Sequence, residues 1–304
     1  MFTLKESDLT LLCQLNHFPI PGDEMIFFGL RGCLPIQDTD HTFRTEHMVE
    51  VVGIDYVHPR CTLGQWRPNQ GIALFPGSTV PHRNNVRSAL DQGGTGCNQL
   101  MTGFYDDYRK GVHKAGQPTG HEAFQQNHKL PIRRTADDLD YDADDRVEYM
   151  RPYDNLHAGW SMGVDHDRFS SAGCQVVVGY PKCEKLDNKP DTGPWKVFKE
   201  NAYSISQDSF SYILLTGNYV QGVVFTNFPE LESRLRFGSQ GGVVEELQTK
   251  LKELAYYVGD IDGDFGPRTL FALLEFQTVV FGSDSDDGIV GPITADALGM
   301  NWPF

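Results

Sequence analysis

Ser170-Ser171-Ala172-Gly173-Cys174-Gln175-Val176-Val177-Val178-Gly179 is the stretch on which the reading of this chain turns. Three successive valines are too β-branched to favour a helix, so the run predicts a short buried strand entered through a glycine turn. Upstream, Asn155-Leu156-His157-Ala158-Gly159-Trp160 reads as a second strand and places a histidine 17 positions before Cys174. A thiol is mostly protonated at neutral pH. A histidine beside it can take the proton and leave the nucleophilic thiolate. Gly173 permits a tight turn, and backbone amides around such a turn can face a developing oxyanion. On residues alone two readings stand: a buried thiol on a strand, or a platform for acyl transfer.

Outward from this pair, apolar runs bounded by Gly, Pro and Asp predict strands at Met25–Leu30, Met48–Tyr56, Gly71–Phe75 (stopped by Pro76-Gly77), Leu130–Arg134 (an edge) and Phe210–Thr216. Helices are expected at 6–16, His82–Asp91 and Trp195–Tyr203, the last with Gly193-Pro194 at its start. Residues 91–128 are rich in Gly, His and polar groups and read as functional wall or surface loop. The Gly-rich segment Arg236–Gly242 reads as a hinge. The expected fold class is α+β: a β-rich domain over residues 1–236 and a small three-helix domain over 237–304.

The length of 304 residues fits two domains, and 39% hydrophobic with 22% charged residues excludes large disorder. Lys and Arg number 26 against 41 Asp and Glu, a net charge of −15. That balance argues against a nucleic-acid partner, which needs basic surface. No run approaches the ~20 apolar residues of a membrane span. The N-terminus lacks a basic n-region and does not read as a secretory signal, which leaves the export route open, as the sequence leaves the oligomeric state. Six cysteines (13, 33, 61, 97, 174, 183) show no C-x-x-C spacing and read as mostly reduced, buried thiols.

The tail contains a repeat. Asp262-Gly263-Asp-Phe-Gly266-Pro267-Arg-Thr269 recurs as Asp287-Gly288-Ile-Val-Gly291-Pro292-Ile-Thr294, each copy a glycine turn leading into a proline-started helix. Val243, Val244, Leu247, Leu251 and Leu254 form one apolar helical face before it. With Leu247-Gln248 and Phe276-Gln277, this pattern resembles the peptidoglycan-binding domain family of three-helix modules. The resemblance implies peptidoglycan as partner, placement in the cell wall or periplasm, and binding through Asp262, Gly263, Gly266, Asp287, Gly288 and Gly291.

The His/Cys pattern resembles the L,D-transpeptidase catalytic domain, in which a strand-borne His precedes a Ser-His-Gly-Cys motif, over about residues 70–180 of this chain. The resemblance implies Cys174 as the nucleophile that takes the acyl group of a stem peptide and His157 as its base. It also implies a backbone carbonyl beside that histidine, at Ala158, and motif positions at Ser171 and Gly173. Gly71–Pro76 and Met101–Gly103 resemble the family's earlier strands. Ala172 replaces the motif's second histidine and Val176 a common polar residue, which bears on substrate orientation. No cofactor and no metal are expected on this reading, with Trp160, Arg133 and Tyr105 lining the substrate cleft.

The rival readings are a zinc-dependent wall peptidase using His113, His121 and His128, and a non-catalytic wall-binding protein. The alternating acids Asp138, Asp140, Asp142, Asp144 and Asp145 lack the glycine of a calcium loop and read as solvated surface.

Overall fold

A computed structural model of the chain describes all residues except 21, 37–39, 94–95, 136–140, 142–144, 227–229 and 303–304. It begins with β1 (Phe2–Lys5), α1 (Glu6–Leu15), β2 (Ile26–Arg31), β3 (Cys33–Pro35), β4 (Glu46–Val51), β5 (Cys61–Arg67), β6 (Gly71–Ser78) and α2 (Arg83–Asp91). Next come β7 (Cys97–Leu100), β8 (Gly103–His113), β9 (His121–Gln126), β10 (Leu130–Thr135), β11 (Arg146–Met150), β12 (Leu156–Ala158) and β13 (Gln175–Val177). The β-rich body ends with α3 (Gly193–Tyr203), β14 (Ser209–Thr216) and α4 (Gly217–Phe225), and the helical region is α5 (Gly242–Glu253), α6 (Pro267–Phe281) and α7 (Pro292–Leu298).

Eight strands close a barrel in the order β12-β13-β6-β5-β2-β14-β8-β9. Most neighbours are antiparallel, but β14 runs parallel to β2 and β12 runs parallel to β13. Two three-stranded sheets, β1-β4-β3 and β11-β10-β7, flank the barrel. All six residues of β2 and all eight of β6 are buried, which is why they read as continuous apolar runs rather than alternating ones. One core gathers Phe27, Phe75, Phe124, Phe198 and Phe210, with Phe27 and Phe210 stacked at 4.4 Å. Each such buried ring contributes roughly 1.5–3 kcal/mol of transfer free energy. A second core joins Leu4, Leu9, Leu12, Phe28 and Val220, so α1 and α4 cover one flank. A third belongs to the helical region and includes Leu235, Val244, Leu247, Leu251 and Leu273.

The α+β class expected from sequence holds, with differences in detail. Gly71–Phe75 does not stop at Pro76-Gly77: β6 continues to Ser78, because the Pro76 carbonyl still accepts the Val178 N–H at 2.9 Å and a proline removes only a donor. The described residues of 91–128 are largely regular. They carry β7, β8 and β9, and the 11-residue β8 was hidden because the register shifts where it pairs with Phe210/Tyr212, which disrupts period-two alternation. Leu130–Thr135 lies at the centre of its sheet, not its edge.

The expected hinge at Arg236–Gly242 is a strap. Phe237 accepts from the Phe104 N–H at 3.0 Å, Gln240 N–H donates to His17 O at 2.8 Å, and the Ser239 hydroxyl donates to Asn16 O at 2.6 Å. On its other side, Gly238 N–H donates to Phe265 O at 3.0 Å and Gly241 N–H to Gly263 O at 2.9 Å. Among the described residues, no helix is long and apolar enough to cross a membrane.

Candidate functional site

His157 is the middle residue of β12 and stands opposite Val176 of β13, so the parallel pairing of these two strands sets His157 beside the turn that delivers Cys174. That turn is pinned from within. The Ser171 hydroxyl accepts the Gly173 N–H at 3.2 Å and donates to the Cys174 carbonyl at 2.7 Å. Gly173 has φ +137°, and a Cβ there would sit 2.6 Å from Asp154 Oδ1 and 2.7 Å from Asn98 Cβ. Only glycine fits both the backbone angle and the space.

The Cys174 sulfur and one nitrogen each from His157 and His113 all lie within 4.8 Å of one another. His113 ends β8 and His121 begins β9, directly opposite it, so the hairpin hands both histidines to the cluster. His113 and His157 stack with ring centroids 4.0 Å apart and 14° between planes, and His121 packs edge-on to His157 at 5.3 Å. All three rings and the thiol are 9% exposed or less.

Hydrogen bonds fix the tautomers. His157 Nδ1 is 2.8 Å from Ala158 O, and since a carbonyl only accepts, Nδ1 carries the proton and Nε2 holds the lone pair. Among the described residues that Nε2 has no hydrogen-bond partner. Asn155 Oδ1 accepts the Gln126 N–H at 3.1 Å, which turns its Nδ2 to donate to His113 Nδ1 at 2.9 Å. His113 therefore bears its proton on Nε2. His121 Nδ1 donates to Thr119 O at 2.8 Å.

Burial, with mutual repulsion as a smaller cause, holds the imidazoles neutral: His157 well below the ordinary histidine value, and His113 down at about 4. Burial pushes the Cys174 thiol up, reinforced by the carboxyl of Asp154. Asp154 is itself buried and raised to about 7, despite accepting from Asn98 Nδ2 at 3.1 Å. The resting site is thus a neutral thiol among neutral imidazoles rather than a thiolate–imidazolium pair. Burial also raises Cys13, Cys33, Cys61 and Cys97. What sets Cys174 apart is its imidazole neighbours, not its acidity.

A cavity of about 270 Å³ opens beside the cluster, lined by His113, His121, Trp160, Ser170, Lys114 and Lys185 among others. Trp160 is among the residues lining it. Three other expectations are corrected. Tyr105 is buried in the barrel core, its hydroxyl donating to Met101 O and its ring stacked on Phe237. Arg133 is buried and grips the chain itself, donating to Asp145 O at 3.1 Å and Asp286 O at 2.8 Å. His128 lies at the far end of the β8–β9 hairpin, 3.1 Å from Asp107, and so does not form a set with His113 and His121. Asp138, Asp140, Asp142 and Asp144 lie outside the described residues. Asp154 and Asn155, which sequence reasoning does not mark as site residues, directly precede β12.

In the tail, the repeated residues build turns. Gln248 Nε2 donates to Asp262 Oδ1 at 2.7 Å and its Oε1 accepts from Asp262 and Gly263 amides at 3.0 Å each. Gln277 repeats this, donating to Asp287 Oδ1 at 2.9 Å and accepting from Gly288 N–H at 2.9 Å. Gly263 and Gly288 have nearly equal left-handed φ values, 71° and 72°. Gly266 and Gly291 are the N-caps of α6 and α7.

The family model for the peptidoglycan binding domain matches residues 240–298. An uncharacterized protein of Kitasatospora aureofaciens is 45% identical over 64 residues, 21% of this chain and 52% of its own length. A spore cortex-lytic enzyme of Oceanobacillus iheyensis is 46% identical over 61 residues, 20% of this chain and 21% of its own length. The chain thus spans about half of the first relative and about a fifth of the second. No solved structure matches the chain. Residues 240–298 thus form a C-terminal peptidoglycan-binding domain.

Proposed function

We propose that the chain is a cell-wall enzyme of the cysteine acyltransferase or peptidase kind, similar to L,D-transpeptidases, with residues 1–236 as the catalytic domain and 237–304 as the wall-binding one. The observation that carries this reading is the convergence of the Cys174 sulfur with His157 and His113 inside 4.8 Å, in a chain with a peptidoglycan-binding domain. The proton of Cys174 passes to His157 Nε2 as the sulfur attacks a stem-peptide carbonyl carbon. His157 then gives that proton to the departing amine as the C–N bond breaks. An acceptor amine or water attacks the thioester and returns the thiol. Because the Gly173 N–H is taken by Ser171, the donor this reading assigns to the oxyanion is the Nε2–H of His113. Ala158 supplies the carbonyl that holds the base, and Ser171 with Gly173 holds the nucleophile's turn.

The test is release or exchange of muropeptides from purified sacculi. Cys174→Ala abolishes turnover, and His157→Ala lowers it by ~10²–10⁴-fold, the range of a general base. Turnover that survives Cys174→Ala overturns the reading.

A second reading rests on the same three residues, since two imidazoles and a thiolate are a zinc-type donor set. The fit is loose. Zinc bond lengths place tetrahedral ligand atoms about 3.3–3.6 Å apart, so the set would have to contract from the widest separation it shows. Loss of turnover with 1,10-phenanthroline and its return with added zinc would favour this reading.

A further inference from the structure

The cavity beside the cluster has a charge character unlike the rest of the chain. The protein carries a net charge of −15, yet among the described residues the cavity lining includes Lys114 and Lys185 and no Asp or Glu. These lysines come from separate segments, and the separation is bridged: the Lys185 N–H donates to Pro118 O at 2.8 Å, tying its turn to the β8–β9 hairpin loop. The Lys185 ammonium stands 5.8 Å from the centre of the Trp160 ring. Lys114 and Trp160 have φ of 52° and 55°, left-handed conformations that cost a side-chain-bearing residue of order 1 kcal/mol or more. The surrounding structure holds both in that state, and both face the one cavity. His113 belongs to the cavity wall and to the thiol cluster at once.

Resting on the function proposed above, we propose that this cavity is the subsite for a free carboxylate of the acyl-donor peptide. Lys114 and Lys185 flank the carboxylate, and Trp160 packs the adjoining aliphatic part. A carboxylate seated there lies one imidazole's width from Cys174, so it belongs to the residue that bears the reacting carbonyl or to one of its two neighbours, at ~3.5 Å per residue. The site selects peptides with an anionic group at that position and rejects their amidated counterparts.

Binding to the full-length Cys174→Ala variant tests this without requiring turnover. The probes are the peptide L-Ala-γ-D-Glu-L-Lys-D-Ala, its C-terminal amide, and the form whose D-Glu α-carboxylate is amidated. Calorimetry is expected to show one of the two amidations weakening binding at least tenfold. Adding Lys114→Met and Lys185→Met should remove that difference while the weaker peptide's Kd stays within twofold. Raising salt should weaken only the preferred acid. Equal binding of all three peptides, absence of binding, or a preference that survives the double lysine change overturns the proposal. No acid preference in the protein with both lysines intact, in an enzyme whose Cys174 turns over, sinks this subsite alone. An acid preference in a protein whose Cys174 proves inert sinks the catalytic reading alone.

Discussion

The rings of His113 and His157 lie face to face, 4.0 Å between centroids and 14° from parallel. Neither can be protonated without charging a buried neighbour's face, which is why burial and mutual repulsion both act to keep them neutral. The stack splits the chemistry: one ring offers a lone pair at Nε2, the other an N–H.

Replacing His113 therefore has an effect distinct from replacing His157. His113→Ala is expected to lower muropeptide turnover by ~10²–10³-fold, the range for loss of one oxyanion donor, while leaving Cys174 able to react with iodoacetamide. His157→Ala should depress both. Equal iodoacetamide rates in the two variants would contradict the division of roles.

Asp154→Asn removes the carboxyl that raises the Cys174 thiol. The midpoint of the iodoacetamide rate against pH should move to lower pH, the direction for loss of a nearby negative charge. The same change alters stability with a definite sign. The folded-state value of Asp154, about 7, lies above the ordinary 3.8. The unfolded chain thus releases its proton first, and wild-type stability falls between about pH 4 and 7. Asp154→Asn should be the more stable protein by a margin that grows through this window, on the order of a few kcal/mol at its end. Thermal melts of both proteins at pH 4.5 and 7.5 give the comparison. The neutral histidines contribute the opposite slope, since His113 at about 4 loses stability as pH falls from 6.5, but they are common to both proteins and cancel in the difference.

Ser171→Ala leaves the buried Gly173 N–H and Cys174 carbonyl without the hydroxyl that joins them. A loss of about 1–3 kcal/mol in stability follows, together with a drop in turnover that exceeds any change in sacculus binding. Urea denaturation and a pull-down with sacculi separate the two.

In the tail both glutamines donate to a turn carbonyl (Gln248 to Asp264 O at 3.1 Å, Gln277 to Ile289 O at 3.0 Å), but Gln248 anchors more of its turn, accepting two amides instead of one and lying 3.1 Å from Thr269 Oγ1. Gln248→Glu replaces a donor with an acceptor against Asp262 and should destabilise the helical region more than Gln277→Ala. Sacculus retention should fall in step with melting temperature in both variants. Retention lost at unchanged stability would assign these residues to direct polymer contact.

The elements legible from sequence were those whose burial leaves a simple pattern. Continuous runs such as Ile26–Leu30, and the repeated Asp-Gly turns before Pro267 and Pro292, gave β2, α6 and α7. The Cys174 turn was legible because Gly173 and Ser171 act locally. What was not legible depends on long-range pairing. His113 and His121 reach the site only because the β8–β9 hairpin pairs them and then joins β12 through Phe124 and Leu156. Asp154 owes its altered acidity to burial that no local pattern records. Arg133 and Tyr105 looked like cleft residues by type, but their partners, Asp286 and Phe237, lie more than a hundred positions away.

The strap from Phe237 to Gly241 is bonded to the barrel side through Phe104, His17 and Asn16 and to the helical side through Phe265 and Gly263. A loose tether would let a bound domain sweep a sphere around its anchor, raising local concentration without fixing direction. A stitched one transmits bearing as well as nearness. On the proposed function, a strand held by the helical region would meet the barrel from one side and at one reach, so the spacing of events along the polymer would be written into the fold rather than left to diffusion.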